Sequence, residues 1–240
     1  MAIINENLLK LVENKSVAII GPASYLVDTG YGKTIDEYDV IIRPNQFCVP
    51  KELHKDYGAR TDIMFHNFGT PWMAGLKDNI FKNQIEFEKL KMIACPVIKS
   101  THSETDIMSW PEDRISDVVK NAESVNQHQI PFYWVGVKKY QNWAREVGCE
   151  PYTGVLTILT ILDYPVKELY VSGFDFYMSS KVYADGFANP IDGELPPAGG
   201  GHGYSCAQRQ ISIFKNRLKQ HKILRVDEHL KKITDTVTHD

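Results

Sequence analysis

Seven short apolar runs, at 17–20, 39–43, 63–65, 92–94, 132–135, 169–171 and 223–226, set the limits on what this chain can fold into. Each is three to five residues long and rich in Val, Ile, Leu, Met or Phe, which suits strands buried on both faces. Between several of them lie segments of helical period without an internal proline, at 6–14, 77–90, 113–126, 138–147, 155–162 and 206–219. Alternation of this kind predicts a mainly parallel sheet flanked by helices, a Rossmann-like α/β fold. In such sheets ligands sit outside the carboxyl ends of the strands, where the loops after residues 20 and 171 would both emerge.

A length of 240 residues, 43% of them hydrophobic, fits one such domain with a sizeable core, so 1–240 reads as a single domain. The stretch 178–203 holds Pro190, Pro196, Pro197 and the run Gly199-Gly200-Gly201, and is too long for a plain connection. It reads either as a mobile lid or as a disordered surface loop. A formal charge of -3 argues against nucleic acid, which requires a basic field to displace counterions, and favours a small-molecule substrate. The first twenty residues interrupt their apolar positions with Asn, Glu and Lys, so neither a signal peptide nor a membrane-spanning segment is expected, and a cytoplasmic location is. Cys48, Cys95, Cys149 and Cys206 are scattered, with no CxxC pair, and read as buried free thiols in a reducing compartment.

Three segments carry chemistry. In the first, the run at 17–20 ends at Gly21-Pro22 and leads through Ser24, Gly30 and Gly32 to the next strand and Asn45, giving small residues whose backbone can approach an anion. In the second, Pro151-Tyr152-Thr153-Gly154 opens a helix whose free N–H groups suit a phosphate, and the following strand ends at Gly173-Phe174. Thr153 there is equally readable as a plain N-cap. In the third, His202 follows the glycine run and precedes a helix, a placement from which an imidazole can enter a pocket and move a proton near neutrality.

Taken together, these segments resemble the large, small and very small sialylmotifs of the sialyltransferases, glycosyltransferase family 29. The first matches in its strand-Gly loop, Gly-x-Gly, Ile-Asp, x-Asp-Val and Arg-x-Asn elements, and the second in Thr-Gly, helix, strand and Gly-Phe. The resemblance implies a GT-A-like variant without Asp-x-Asp. It makes Gly21, Ser24, Asn45, Thr153, Gly154, Gly173 and Phe174 donor-binding residues and His202 the catalytic base. Three positions depart from the family's pattern: Pro22 stands where Asn is usual, Tyr152 where Ser is usual, and Ala207 where the very small motif has Glu. Neither of the two motif cysteines that form a disulfide in the secreted animal members is present.

The implied reaction is transfer of sialic acid, or a related keto-sugar such as Kdo, from a CMP-sugar to a hydroxyl of a glycan or glycolipid, with inversion and with no cofactor or metal. The alternative is a non-catalytic nucleotide- or glycan-binding protein on the same fold. Asp175 lacks a partner carboxylate for a metal and reads as a residue that orders its loop or faces substrate. His66, Asn67 and the polar cluster from Thr101 to Asp106, with His102, follow strands and are weaker candidates, and Trp72, Trp110 and Trp143 are expected in the core.

Overall fold

The computed structural model describes residues 4–96, 115–179, 182–187 and 204–236. Each apolar run forms a strand, with ends shifted by one residue at most: β1 (Ser16–Ile20), β2 (Val40–Pro44), β3 (Ile63–Phe65), β4 (Met92–Cys95), β5 (Phe132–Trp134), β6 (Glu168–Ser172) and β7 (Leu224–Val226). They form one sheet in the order β5-β4-β3-β2-β1-β6-β7, and every neighbouring pair is parallel.

The expected uniform apolarity of the strands follows from this arrangement, because both faces are covered. Val17 and Ile19 of β1 and Ile42 of β2 face one layer, while Ala18, Ile20 and Ile41 face the other. On the first face lie α1 (Glu6–Val12), α7 (Val137–Val147), α8 (Thr153–Leu162), α9 (Tyr204–Gln220) and α10 (Glu228–Thr236). Against the second lie α2 (Gly32–Asp36), α3 (His54–Tyr57), α4 (Thr70–Lys82), α5 (Gln84–Glu88) and α6 (Ile115–Val125). The seven residues from Val155 to Ile161 in α8 are all buried, so this helix is apolar around its circumference and sits inside the layer. Each of its Leu and Ile side chains contributes roughly 1.5–3 kcal/mol to holding it there.

Two expectations require correction. The pattern at 77–90 is not one helix: α4 starts seven residues earlier, with proline in its first turn where no N–H is needed, and ends at Asn83. That residue leaves the helical region (φ -132°, ψ 45°), and α5 begins after it. Nor are all the cysteines free. Cys149, just after α7, and Cys206, in the first turn of α9, form a disulfide across 57 positions of sequence, while Cys48 and Cys95 are thiols. The short helices α2 and α3 and the C-terminal α10 are additions to the sequence reading. Asp227 caps α10, its Oδ1 accepting the Leu230 amide at 2.8 Å. Of the long loop expected at 178–203, the segment 182–187 forms an antiparallel bridge, Tyr183 with Ala23, whereas 188–203 lies outside the described residues.

Candidate active site at the carboxyl edge

The chain builds β2 to β5 outward on one side of β1 and then returns to place β6 and β7 on the other. A switch of direction of this kind leaves a crevice at the carboxyl ends of the two strands beside it. A pocket opens there, with about 570 Å³ of empty space counting its mouth. The loops after β1, β2 and β6 supply three of its sides, and the first turn of α8 a fourth.

Glycine sets how closely these pieces approach. A Cβ on Gly21 would lie 2.2 Å from the Gly173 carbonyl oxygen, and one on Gly173, whose φ is +77°, would lie 2.2 Å from that of Gly21. The two glycines thus let the loops after β1 and β6 touch backbone to backbone. A Cβ on Gly154 would lie 2.3 Å from the Phe174 ring, so that glycine admits the ring beside the start of α8.

The bland reading of Thr153 as an N-cap does not hold. Tyr152 is the N-cap, extended at φ -65°, ψ 148°, and offers no side-chain bond to the helix; Thr153 is the first helical residue. The Tyr152 amide is held instead by Oε1 of buried Gln210 in α9, at 2.7 Å. The first helical bond runs from the Leu156 amide to the Tyr152 carbonyl at 2.9 Å, so the amides of Thr153, Gly154 and Val155 precede the ladder at the positive end of the helix dipole.

Asn45 sits opposite in the left-handed region, with φ 58°. Its amide donates to the Phe65 carbonyl at 2.6 Å, whereas its Oδ1 is buried without a partner. A buried acceptor left unpaired costs on the order of 1–3 kcal/mol, a cost that a ligand donor would relieve. Positive φ recurs around the pocket at Phe176 (53°) and Tyr177 (59°), where side chains normally avoid it. Asp175 holds that turn: Oδ1 accepts the Tyr177 amide at 2.9 Å, and Oδ2 accepts from the amide and hydroxyl of Ser179. Burial nevertheless pushes the Asp175 carboxyl above its ordinary value. Both oxygens are engaged inside the loop, so Asp175 orders structure, the first of the two roles expected for it, and it is also among the residues that line the pocket.

Two tyrosines complete the wall. The hydroxyls of Tyr177 and Tyr183 lie 3.1 Å apart, and the Tyr152 ring meets Tyr177 edge to face at 4.8 Å. Burial pushes both hydroxyls above their ordinary value, so both stay protonated throughout the neutral range, one donating to the other. Tyr183 is held in place by the bridge to Ala23 and by the Ala184 amide, which donates to the Pro22 carbonyl at 3.0 Å.

The family model described as glycosyltransferase family 29 (sialyltransferase) matches residues 6–132, more than half of the chain. The chain belongs to glycosyltransferase family 29. No curated protein sequence matches it. Among solved structures it resembles a mammalian sialyltransferase in complex with Gal-beta-1-3GalNAc-ortho-nitrophenol, at 15% identity and a TM-score of 0.51, over 94% of this chain and 74% of that one. It also resembles the sialyltransferase CstII from Campylobacter jejuni in complex with a substrate analogue, cytidine-5'-monophosphate, at 16% identity and a TM-score of 0.49, over 88% and 79% of the two chains. The likeness to the first of these, at 15% identity, is likeness of fold.

Within this family 29 fold, five of the residues expected to bind donor line the pocket: Asn45, Thr153, Gly154, Gly173 and Phe174. Gly21 lies beneath it, packed on Gly173. Ser24 is not part of the lining; it begins a 3-10 turn and its amide donates to the Val182 carbonyl at 3.2 Å. His202 and His102 lie outside the described residues. His66 is not suited to act as a base. It is buried, its Nδ1 accepts the Phe68 amide at 2.9 Å, and burial pushes its pKa down to about 3. Ala207, where the very small motif has Glu, is fully buried in α9. Trp143 is in the core as expected, and its ring lies under Lys139. The tyrosine pair was not singled out from sequence. Tyr183 lies in the proline- and glycine-rich stretch, and only the bridge to Ala23 reveals that it returns to the pocket.

Among the described residues no helix is long and apolar enough to cross a membrane. Likewise no group of three or more His, Cys, Asp or Glu among them could hold a metal ion.

Proposed function

We propose that the chain transfers sialic acid, or a related keto-sugar, from its CMP ester to a hydroxyl of a glycan or glycolipid acceptor, with inversion at the anomeric carbon. The observation that carries this reading is the pocket wall. The residues that carry the unladdered amides of α8, the paired hydroxyls (Tyr177 and Tyr183) and the unpaired Oδ1 (Asn45) line one cavity at the switch point of a family 29 fold.

On this reading the donor phosphate sits between the α8 amides and the tyrosine hydroxyls, with Phe174 beside the cytosine and Asn45 accepting a donor group of the ligand. The acceptor oxygen attacks the anomeric carbon and gives up its proton to His202. The bond from that carbon to the phosphate oxygen breaks, and CMP departs with the electron pair. The developing phosphate charge is met by neutral N–H and O–H donors fixed before reaction, which stabilise it at no reorganisation cost. Phe176 and Tyr177, next to Asp175 in sequence, bring no second carboxylate, and both Asp175 oxygens accept hydrogen bonds within the loop, which supports reading the mechanism as metal-independent.

The test is nucleotide binding followed by turnover. CMP should raise the melting temperature and AMP and GMP should not, since only a ligand of the folded state stabilises by mass action. CMP release from CMP-sialic acid should then proceed with EDTA present. Equal stabilisation by AMP or GMP would refute the donor assignment, and loss of turnover on chelation, restored by magnesium or manganese, would refute the metal-free mechanism.

A further inference from the structure

The C-terminal segment, which belongs to none of the three motif regions, is tied to Tyr25 and Ser172, next to the turn that carries Phe174. Tyr25, in the loop after β1, donates its hydroxyl to Asp227 Oδ2 at 2.6 Å and accepts the amides of Gly173 at 2.7 Å and Phe174 at 3.3 Å. The same carboxylate oxygen accepts the Ser172 hydroxyl at 2.6 Å. Ser172 is fully closed off and Asp227 is buried. The Tyr25 ring stacks on His229, with centroids 3.9 Å apart.

These contacts join three distant pieces of chain at the turn that carries Phe174. Burial, reinforced by the Asp227 carboxylate, holds the Tyr25 hydroxyl far above its ordinary value. It therefore stays protonated and performs both tasks at once, donating to Asp227 while accepting from the turn. Phe174 lines the pocket, and its ring rests where Gly154 leaves room for it.

We infer that Tyr25 and Asp227 are positioning residues for donor binding: they lock the Gly173-Phe174 turn so that the Phe174 ring and the start of α8 are set for the nucleotide before it arrives. The inference rests on the reading of the pocket as a CMP-sugar site. A locked turn is present in the free protein, so its loss lowers the fraction of molecules competent to bind and weakens apparent affinity by that fraction. Once donor is bound the turn is held by the ligand, so the step at saturation is spared.

Tyr25→Phe removes the hydroxyl and keeps the ring on His229. Asp227→Ser keeps a side-chain oxygen to cap α10 but cannot serve both Tyr25 and Ser172. Each should raise the CMP dissociation constant and the donor KM by roughly tenfold, leave kcat within about threefold, and speed hydrogen exchange at Gly173 and Phe174. The double variant should bind CMP no worse than the weaker single, since one device is being broken twice. Asp227→Asn, which retains an acceptor oxygen for Tyr25, should recover most of the affinity. If either folded single variant binds CMP within twofold of the parent, or the double variant is worse by the product of the singles, the inference fails. Faster exchange at the turn with unchanged affinity also overturns it, because the contacts are then structural only. Where one single variant does not fold, the other and Asp227→Asn decide the question by the same measurements. If the parent itself does not bind CMP, the donor reading falls first, and that result is distinguishable because it involves no variant.

Discussion

Replacing Cys149 and Cys206 together by alanine opens a loop of 57 positions that the disulfide closes in the unfolded chain. The chain-entropy relation assigns closure of a loop this long about 4 kcal/mol at 25 °C. Residual structure in the unfolded state makes that figure an upper bound. For 240 residues the unfolding entropy is about 0.5 kcal/mol/K, so the full effect corresponds to a fall in Tm of roughly 8 °C. Differential scanning calorimetry of the parent, the double alanine variant and the parent in reductant should give a drop of about 4–8 °C for the last two, in agreement with each other. Thiol titration of the unfolded, unreduced parent should count only Cys48 and Cys95. Melting temperatures within about 1 °C of each other, or all four thiols reactive without reductant, would refute the disulfide and its role. The bond also bears on location. A reducing cytoplasm would keep the pair as thiols, so its state in freshly lysed cells tests the cytoplasmic expectation directly.

Three further outcomes are expected. His202→Ala should leave CMP affinity unchanged and lower turnover by roughly a hundredfold to ten-thousandfold, as removal of a general base does; near-normal turnover would move the search for the base to His102. Tyr177→Phe and Tyr183→Phe should each slow CMP release from donor by about tenfold to a hundredfold, with the double variant slower still, because their hydroxyls meet charge that grows as the phosphate departs; unchanged kcat in both would remove them from the mechanism. For His66, the folded pKa of about 3 lies below the ordinary 6.5, so the unfolded state takes up a proton that the folded state refuses. Stability should therefore fall as pH drops from about 6.5 towards 3, and urea midpoints for His66→Asn, which offers the Phe68 amide another acceptor, should decline less over the upper part of that range.

What sequence could reveal here follows from which features are local. The strands were legible because a sheet covered on both faces needs apolar side chains at consecutive positions, as at Val17, Ala18, Ile19 and Ile20. Helix ends were less so: whether 77–90 is one helix or two depends on a backbone excursion at Asn83 that its neighbours do not announce. The glycines were read as letting backbone approach an anion, whereas the structure shows them letting chain segments approach each other. Gly21 and Gly173 serve each other, 152 positions apart in sequence, and no window of sequence contains both. Asn45 stood out only through its motif, since nothing local indicates that its Oδ1 ends buried and unpaired. Pairings that exist only after folding, Cys149 with Cys206, Tyr177 with Tyr183 and Tyr25 with Asp227, were invisible for the same reason.

The departure at Pro22 shows how such pairings can change the chemistry available at a motif. Proline has no N–H and no carboxamide, so the loop after β1 lacks the donor that the family's usual asparagine would bring. Its carbonyl is directed elsewhere, accepting the Ala184 amide, and that bond helps draw the segment at 182–187 back against the loop. That segment carries Tyr183 to the pocket, with its hydroxyl against that of Tyr177. On the proposed reading the anion contact of the family's usual asparagine passes to this hydroxyl pair, in which one O–H donates to the other hydroxyl and the remaining O–H is left for the phosphate. For a phosphate that leaves carrying charge, donors fixed by a backbone bridge are better preorganised than one flexible carboxamide. On the proposed reading Pro22 therefore relocates the anion contact without abolishing it, so restoring asparagine at position 22 alone should add little to turnover while Tyr177 and Tyr183 are intact. In the Tyr183→Phe background the same Pro22→Asn change should recover a measurable part of the lost rate; no recovery there, by single-turnover CMP release, would show that the two devices do not act on the same phosphate.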